Sequence, residues 1–511
     1  MALDALSLLL LFLLLLPLMF IMLKNIKIER KNKHNLPPGP PKLPIIGNMH
    51  QLGALPHQSL CQLAKRYGPV MLLHLGGVPT LVISSAEAAR VVLKVNDLGS
   101  CSRPLLAGAR KLTYNYLDMG FTPYSDYWRE MRKICVLELF STKRVQSYRS
   151  IREEEVDSLI NSISQSSASA TPVDLTEKLF SLTASIIFRI AFGTTFQGSG
   201  FNHHRFHEVI HEAEALLGSY SAAEFVPYVG WIIDRLSGLH QRLERTFHEM
   251  DHFFQKVIDN HLSCERITDK DHEDIIDVLL KIVGKQTESE AAQFSHNNVK
   301  ALLLNIFVAG VDTGAITMIW AMAELAKKPN LMKKAQDEVR NVIGNKGKVG
   351  ESDIDQLQYL KMIVKETLRL HPPAPLLLPR ETISYFKVNG YEIYPKTTIQ
   401  INAWAIGRDP DYWNNPEEFI PERFIDSSID FKGQHFELLP FGSGRRICPG
   451  IHMGTTVVEL GLANLLYWFD WKLPEGMEVE DISMEEEPGI CLTVSKKTAL
   501  NLVPVKFSAA S

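Results

Sequence analysis

Phe441-Gly442-Ser443-Gly444-Arg445-Arg446-Ile447-Cys448-Pro449-Gly450 places a lone cysteine at the mouth of a helix predicted from about Ile451 to Phe469. A thiol becomes a good metal ligand once deprotonated, and a helix N-terminus favours the thiolate through its dipole and free amide hydrogens. Pro449 suits a first helical turn, where its missing amide hydrogen is not needed. Gly442 and Gly444 permit a tight, bulged turn, and Gly450 leaves room for a flat ligand against the backbone. Phe441 is placed to shield the sulfur from water. Arg446, two residues before the sulfur, is placed to reach an anionic edge of such a ligand. One thiolate cannot build a zinc site, which takes several nitrogen or sulfur ligands. The plain alternative is a buried structural cysteine at a glycine-rich turn.

The other five cysteines, Cys61, Cys101, Cys135, Cys264 and Cys491, form no CxxC pair and are too sparse for a disulfide scaffold. They read as buried thiols of a reduced, cytosol-facing domain. The chain has 511 residues, 45% of them hydrophobic, and a formal net charge of −4. That balance gives no electrostatic case for nucleic acid, and neither a basic tract with aromatics nor zinc-finger spacing is present.

Upstream, Ala5 to Leu23 is apolar apart from Ser7 and Pro17, and Lys24, Lys27, Arg30, Lys31 and Lys33 follow. About 19 residues of helix span roughly 28 Å, close to a bilayer core. The basic flank predicts a single-pass anchor over 1–23 with the following chain in the cytoplasm. Asp4 before the core and basic residues after it argue against a cleaved signal peptide. Residues 24–41 form a basic, proline-rich linker. Pro37, Pro38, Pro40 and Pro41 make it either a stiff hinge or a solvated tether.

From residue 42 to 511 there is no repeat or second boundary, so one large domain is expected, mainly α with small β-sheets. Val70–Leu75 and Thr80–Ser84 flank Gly76-Gly77 as a hairpin. Asn389-Gly390 marks another, between Tyr385–Val388 and Tyr391–Ile393. Helical patterns fill about 125–372, and 409–440 reads as an irregular meander.

One long helix is predicted from about Asn297 to Lys328, closed by Pro329, with Ala309-Gly310-Val311-Asp312-Thr313-Gly314 at its centre. Two glycines cost a helix interior roughly 0.8–1 kcal/mol each. Close approach of a flat cofactor would offset that, as would simple helix packing. Thr313 can bond back to the carbonyl four residues earlier and open the helix; Asp312 can then relay protons. Glu366 and Arg369 share one helical face with apolar neighbours, and burying them requires a further partner, for which Arg423 in Pro421-Glu422-Arg423-Phe424 is available. Trp128 and Arg132 set two donors suited to carboxylates one turn apart. Arg380 follows the Glu366 helix.

Phe441, Gly444, Arg446, Cys448 and Gly450, with Asp312–Thr313, Glu366–Arg369 and Pro421–Phe424 in order, resemble the cytochromes P450, and most closely the plant microsomal A-type group, the family 71 clan. The resemblance implies haem b with Cys448 as the metal ligand, Phe441 and Gly450 against the cofactor, and Trp128, Arg132, Arg380 and Arg446 at its propionate edge. It implies that Asp312 and Thr313 deliver protons for oxygen activation, and that Glu366, Arg369 and Arg423 are structural. Gly314 departs from the Ser or Thr often found there, leaving Thr313 as the sole hydroxyl. The implied activity inserts one atom of O2 into a lipophilic small molecule of plant specialised metabolism. No flavin or nicotinamide fingerprint follows, so an NADPH–cytochrome P450 reductase in the same endoplasmic reticulum membrane is the implied electron donor. Arg129, Lys133 and Arg445 are candidate docking charges. Specificity is expected from Ser102–Asp126, Leu302–Thr317, Pro488–Leu492 and an apolar wall at Pro373, Pro375 and Leu376–Leu378. The alternatives are a haem-thiolate dehydratase or isomerase without net oxygen insertion, and a non-catalytic haem sensor or carrier.

Overall fold

The computed structural model describes residues 35–507, except 197–202, 220, 227–228, 264–272, 286–293 and 490. The 1–23 segment and the basic part of the linker therefore lie outside the described residues, as does Cys264. The proline segment is docked rather than solvated. Pro37 and Pro40 are buried, Leu72 donates its amide to the Pro38 carbonyl at 2.9 Å, and Asn48 caps the Pro40 and Pro41 carbonyls.

The helices that position the site are α1 (Asp126–Ile134), α2 (Leu175–Phe192), α3 (His203–Gly218), α4 (His296–Gly310), α5 (Asp312–Lys327), α6 (Gln358–Leu370) and α7 (Ile451–Trp468). A helix apolar on all sides must be wrapped by protein or lipid. The combined span His296–Lys327 is long and apolar enough to cross a bilayer, yet 78% of its most apolar stretch is buried inside the protein, so it is the core helix. It packs against α2, α3, α6 and α7. Edge-to-face and tilted rings of Phe188, Phe192, Phe206, Phe253 and Phe307 fill the space between α2, α3 and α4, with centroids 4.7–6.4 Å apart. The expected single helix is broken at Val311, and the helix after Lys328 restarts at Pro329, where proline needs no amide hydrogen.

Strands β1 (Val70–Leu75), β2 (Val78–Ile83), β3 (Arg380–Glu381), β4 (Phe386–Val388), β5 (Tyr391–Ile393) and β6 (Thr398–Ile401) lie at one side. β1 and β2 form the expected antiparallel hairpin, Val70 opposite Ile83, and the sheet order is β1-β2-β6-β3 with β2 and β6 parallel. The β4–β5 hairpin turns on Asn389 (φ 49°) and Gly390 (φ 82°), the left-handed pair that a two-residue hairpin requires. Among the described residues, the meander holds only the short 3₁₀ turn Pro421–Phe424.

That meander is held by one buried carboxylate. Glu366 and Arg369 are fully buried and joined by two bonds of 2.7 and 2.8 Å, and Arg423 adds a third to Glu366 at 2.9 Å. Arg369 donates further to the carbonyls of Gly407, Pro416 and Glu418, and the Ile420 amide caps Glu366. Both Glu366 oxygens and all five Arg369 N–H groups find partners, the condition under which a buried ion network is stable.

Candidate cofactor and active site

The loop before α7 is a tight knot. Cys448 donates its amide to the Phe441 carbonyl at 3.0 Å, and Ser443 Oγ donates to the Gly433 carbonyl at 2.6 Å. Gly442 and Gly444 take φ of 70° and 69°, and a Cβ on Gly444 would fall 2.4 Å from the Leu93 carbonyl oxygen. Only glycine fits there. Helix α7 starts at Ile451 with Gly450 as its N-cap, so Pro449 sits just ahead of the cap rather than in the first turn. A Cβ on Gly450 would meet nothing nearer than the Cys448 sulfur at 3.9 Å, leaving an open face beside Sγ. Phe441 packs edge-on against Phe431, 5.3 Å between centroids, on the flank of the loop.

Burial pushes the Cys448 thiol up, outweighing the Gly450 amide bond and the Arg132 charge that pull it down. The helix terminus expected to favour the thiolate therefore does so only in part, because desolvation of the anion is the larger effect. A cation bonded to the sulfur would supply the rest.

Around the loop gather four guanidiniums: Arg103, Arg132, Arg380 and Arg446. Two carboxylates lie among them, Asp97 and Asp118. Arg380 bonds Asp97 at 2.8 Å and the Ser443 carbonyl at 2.7 Å. Arg446 donates to the carbonyls of Cys101, Met119 and Thr122 and stacks on Trp128 at 4.1 Å; burial, offset in part by Cys101, brings it down to about 9. Trp128 donates Nε1 to the Met119 carbonyl at 3.0 Å. Three of the four donors expected at an anionic edge, Trp128, Arg380 and Arg446, are thus bonded to protein. Arg132 differs: among the described residues its one hydrogen-bond acceptor is the Met119 thioether at 3.5 Å, a weak partner for a half-buried cation. An excess of buried positive charge beside an open-faced thiol fits the iron and paired carboxylates of a haem.

On the other side, the break at Val311 is accompanied by the expected back-bond, Thr313 Oγ1 to the Ala309 carbonyl at 2.7 Å. Thr317 repeats it onto the Thr313 carbonyl at 2.8 Å. The two glycines serve helix packing instead of a cofactor. A Cβ on Gly310 would strike Ile187 at 2.8 Å, and one on Gly314 would press on Thr183 at 3.3 Å, both on α2. Asp312 is buried and turned toward α3.

Asn305, Arg103 and Glu214 escaped the sequence reading. Asn305 Oδ1 accepts from the Met119 and Gly120 amides, and Arg103 bonds the Gly120, Leu378 and Pro379 carbonyls. Together they pin the 114–122 loop and the apolar wall to α4. Leu377 in that wall has φ of 54°, a left-handed kink beside Gly442. An acid inside Ala213-Glu214-Ala215-Leu216-Leu217 was the one visible signal among the three.

The family model for cytochrome P450 matches residues 37–501. The chain belongs to the cytochrome P450 family. It is 55% identical over 479 residues to cytochrome P450 71B34 of Arabidopsis thaliana, covering 94% of this chain and 95% of that one. It is 53% identical over 506 residues to cytochrome P450 71B19 of the same plant, covering 98% and 99%. Its fold matches a zebra fish cytochrome P450 solved with abiraterone at a TM-score of 0.74, with 24% identity over 89% of this chain and 99% of that one. This P450 is therefore a haem b monooxygenase that uses O2, a substrate and a redox partner, and it groups with the plant family 71 enzymes.

Proposed function

We propose that this P450 oxygenates a lipophilic small molecule of plant specialised metabolism, with Cys448 as the axial ligand of the haem iron and NADPH–cytochrome P450 reductase as electron source. The observation that carries the site is the surplus of guanidinium around the Cys448 loop. Arg132, Arg380, Arg446 and Trp128 hold the carboxylate edge, and Gly450 and Phe441 flank the sulfur. When bound, the haem supplies the reductive chemistry of O2, favoured by electron donation from the thiolate. The chain's own residues hold the cofactor, exclude water and move protons: Thr313 loosens the helix at Val311, and Asp312 stands beside that opening.

A membrane position is supported by one apolar surface. Trp231, Ile232, Ile233 and Leu236 are exposed on the short helix Gly230–Leu236. Leu43, Ile45 and Ile46 are also exposed, and the bonds Gly76 amide to Ile46 carbonyl and Gly77 amide to Phe225 carbonyl tie their segment to the one that precedes this helix. Such a patch suits an interface with lipid. A cavity of about 410 Å³ lined by Gly108, Leu216, Trp231, Leu239 and Leu243 opens there, a route for a lipophilic substrate. With the 1–23 anchor, the reading is a single-pass endoplasmic reticulum protein facing the cytosol. The candidate reductase-docking charges already face their own acids: Arg129 pairs with Asp126, Lys133 lies 4.0 Å from Glu130, and Arg445 lies 3.7 Å from Asp97.

A substrate screen with reductase, read by haem spectral shifts and followed with isotopically labelled O2, tests the reading. Label in the product supports it; turnover without label assigns the dehydratase or isomerase chemistry instead. Thr313→Ala is expected to keep NADPH oxidation while lowering product per NADPH several-fold; an unchanged yield removes Thr313 from the proton path.

A further inference from the structure

Behind the break at Val311, Asp312 meets a second buried acid. Glu214 on α3 is 1% exposed and Asp312 3%. His211, one turn earlier on α3, is largely exposed and brings Nδ1 to 3.7 Å from Asp312 Oδ2. The ligand atoms of His211, Glu214 and Asp312 all lie within 4.8 Å of one another. Neither Glu214 Oε2 nor Asp312 Oδ1 receives a hydrogen bond from any described donor. Ionised carboxylates only accept, so two of them buried side by side are stable only when one keeps a proton.

The surroundings say which one. Burial, and then the negative charge of Asp312, push the Glu214 carboxyl well above the usual range. Burial also pushes Asp312 up, but the neighbouring His211 and Glu214 outweigh it and hold Asp312 below its ordinary value. The Asp312 carboxylate raises His211 in turn. The charged and titratable groups facing this cluster are His207 and Glu212 from α3, and Glu487 and Cys491 from the C-terminal turn; Thr493 also hydrogen-bonds Glu214. The cluster thus runs from solvent at His211, through a proton-sharing pair, to the opening at Thr313.

We infer that Glu214 is a positioning residue for proton delivery, sharing one proton with Asp312 across the α3–α5 contact, with His211 as the solvent-side entry. The Glu214 proton crosses to the ionised Asp312, which passes that same proton on toward Thr313. His211 then returns a proton from water to the pair. One proton enters for each one that leaves, and no electron moves. The inference rests on the monooxygenase activity, but its first readout does not require turnover.

That readout is the infrared carbonyl band of a protonated buried carboxyl in resting, haem-loaded protein. Glu214→Gln keeps the shape and a donor but cannot pass a proton. The band is expected to disappear in this variant and to return, shifted, in Glu214→Asp. With reductase, NADPH and O2, the share of electrons lost as hydrogen peroxide is expected to rise several-fold in Glu214→Gln, with an altered solvent deuterium isotope effect. His211→Gln, at the surface and harmless to folding, is expected to change both in the same direction by less. In a wild-type-minus-Glu214→Gln difference spectrum, bands common to both proteins, such as that of Glu459, cancel. A difference spectrum without a carboxyl band overturns the inference. So does an unchanged peroxide share and isotope effect in His211→Gln, which decides the matter should Glu214→Gln not fold. Turnover that responds to zinc or to a chelator in the wild type but not in His211→Gln would assign the trio to a cation, and also overturns it. A wild-type band with no oxygenated product from any substrate would leave the pair standing and sink the substrate reading alone.

Discussion

Three groups of buried charge stand in this P450, and they are built on two opposite rules. At Glu366, Arg369 and Arg423, both carboxylate oxygens and every N–H of Arg369 have partners, and the group holds the meander to α6. Around Cys448, positive charge exceeds negative, and Arg132 makes do with a thioether. At Glu214 and Asp312, two carboxyl oxygens lack donors altogether. A saturated network is finished when the chain folds. An unsaturated one carries a cost in the protein alone that a ligand or proton removes, which is how binding energy is stored in a site.

The sharpest way to break this contrast is Cys448→Ala. It is expected to abolish the thiolate-type absorption band of the reduced, carbon monoxide-bound protein and all oxygenation, while the fold survives. Retention of the band would move the iron ligand elsewhere. Next in size, Glu366→Ala leaves two buried guanidiniums facing each other. It is expected to cost about 3–5 kcal/mol or prevent folding, seen as loss of soluble protein or a lowered denaturation midpoint. Only a mild loss there would mean that saturation of the network matters little.

Arg132→Leu probes the other rule. Because Arg132 has no strong partner among the described residues, its removal is expected to leave the stability of haem-free protein unchanged or slightly higher. Haem retention should weaken by about tenfold or more, the worth of one charge-assisted hydrogen bond. Titration of haem into the two proteins, beside their denaturation curves, separates these effects. Equal destabilisation with and without haem would place Arg132 with the Glu366 group.

What could be read from the chain alone follows the range of each interaction. Cys448 with its glycines, Thr313 with Ala309, Glu366 with Arg369 and the Asn389-Gly390 turn are all set by neighbours within a few residues, and each stands where spacing placed it. Arg423 was found because a buried ion pair demands a third partner. Spacing carries no such demand for Glu214 or Asn305, whose partners come from segments about a hundred or more residues away. The glycines at 310 and 314 show the same limit. The penalty they impose on a helix was visible, but α2 had to be seen before Ile187 and Thr183 could replace a cofactor as its cause. Arg446 and Trp128 come together across more than half the chain, yet that contact and their bonds to backbone carbonyls could not be foreseen from a motif.

Glu459 tests whether a lone unpaired charge is enough to mark a functional group. Glu459 lies half-buried on α7, the helix that follows the cysteine loop, and no cation comes within ion-pair distance among the described residues. Burial lifts its carboxyl to about 7, Lys361 draws it down a little, and Asp355 pushes it back. Lys361 is itself committed to Asp355 at 3.0 Å. The folded state thus holds the Glu459 proton more tightly than the unfolded chain does, where a glutamate titrates near its ordinary value of roughly 4.3. As pH rises from that value to about 7, unfolding releases a proton and stability falls; above about 7 the loss is complete. Glu459→Gln removes this slope. It is expected to match wild type at pH 4 and to exceed it at pH 8 by up to roughly 3 kcal/mol, read from denaturation midpoints at the two pH values. Haem content and product yield should not change, since no second unpaired group converges on Glu459 as Asp312 converges on Glu214. If turnover fell with the gain in stability, convergence would be the wrong criterion, and any isolated strained charge in this core would have to be counted as part of the machinery.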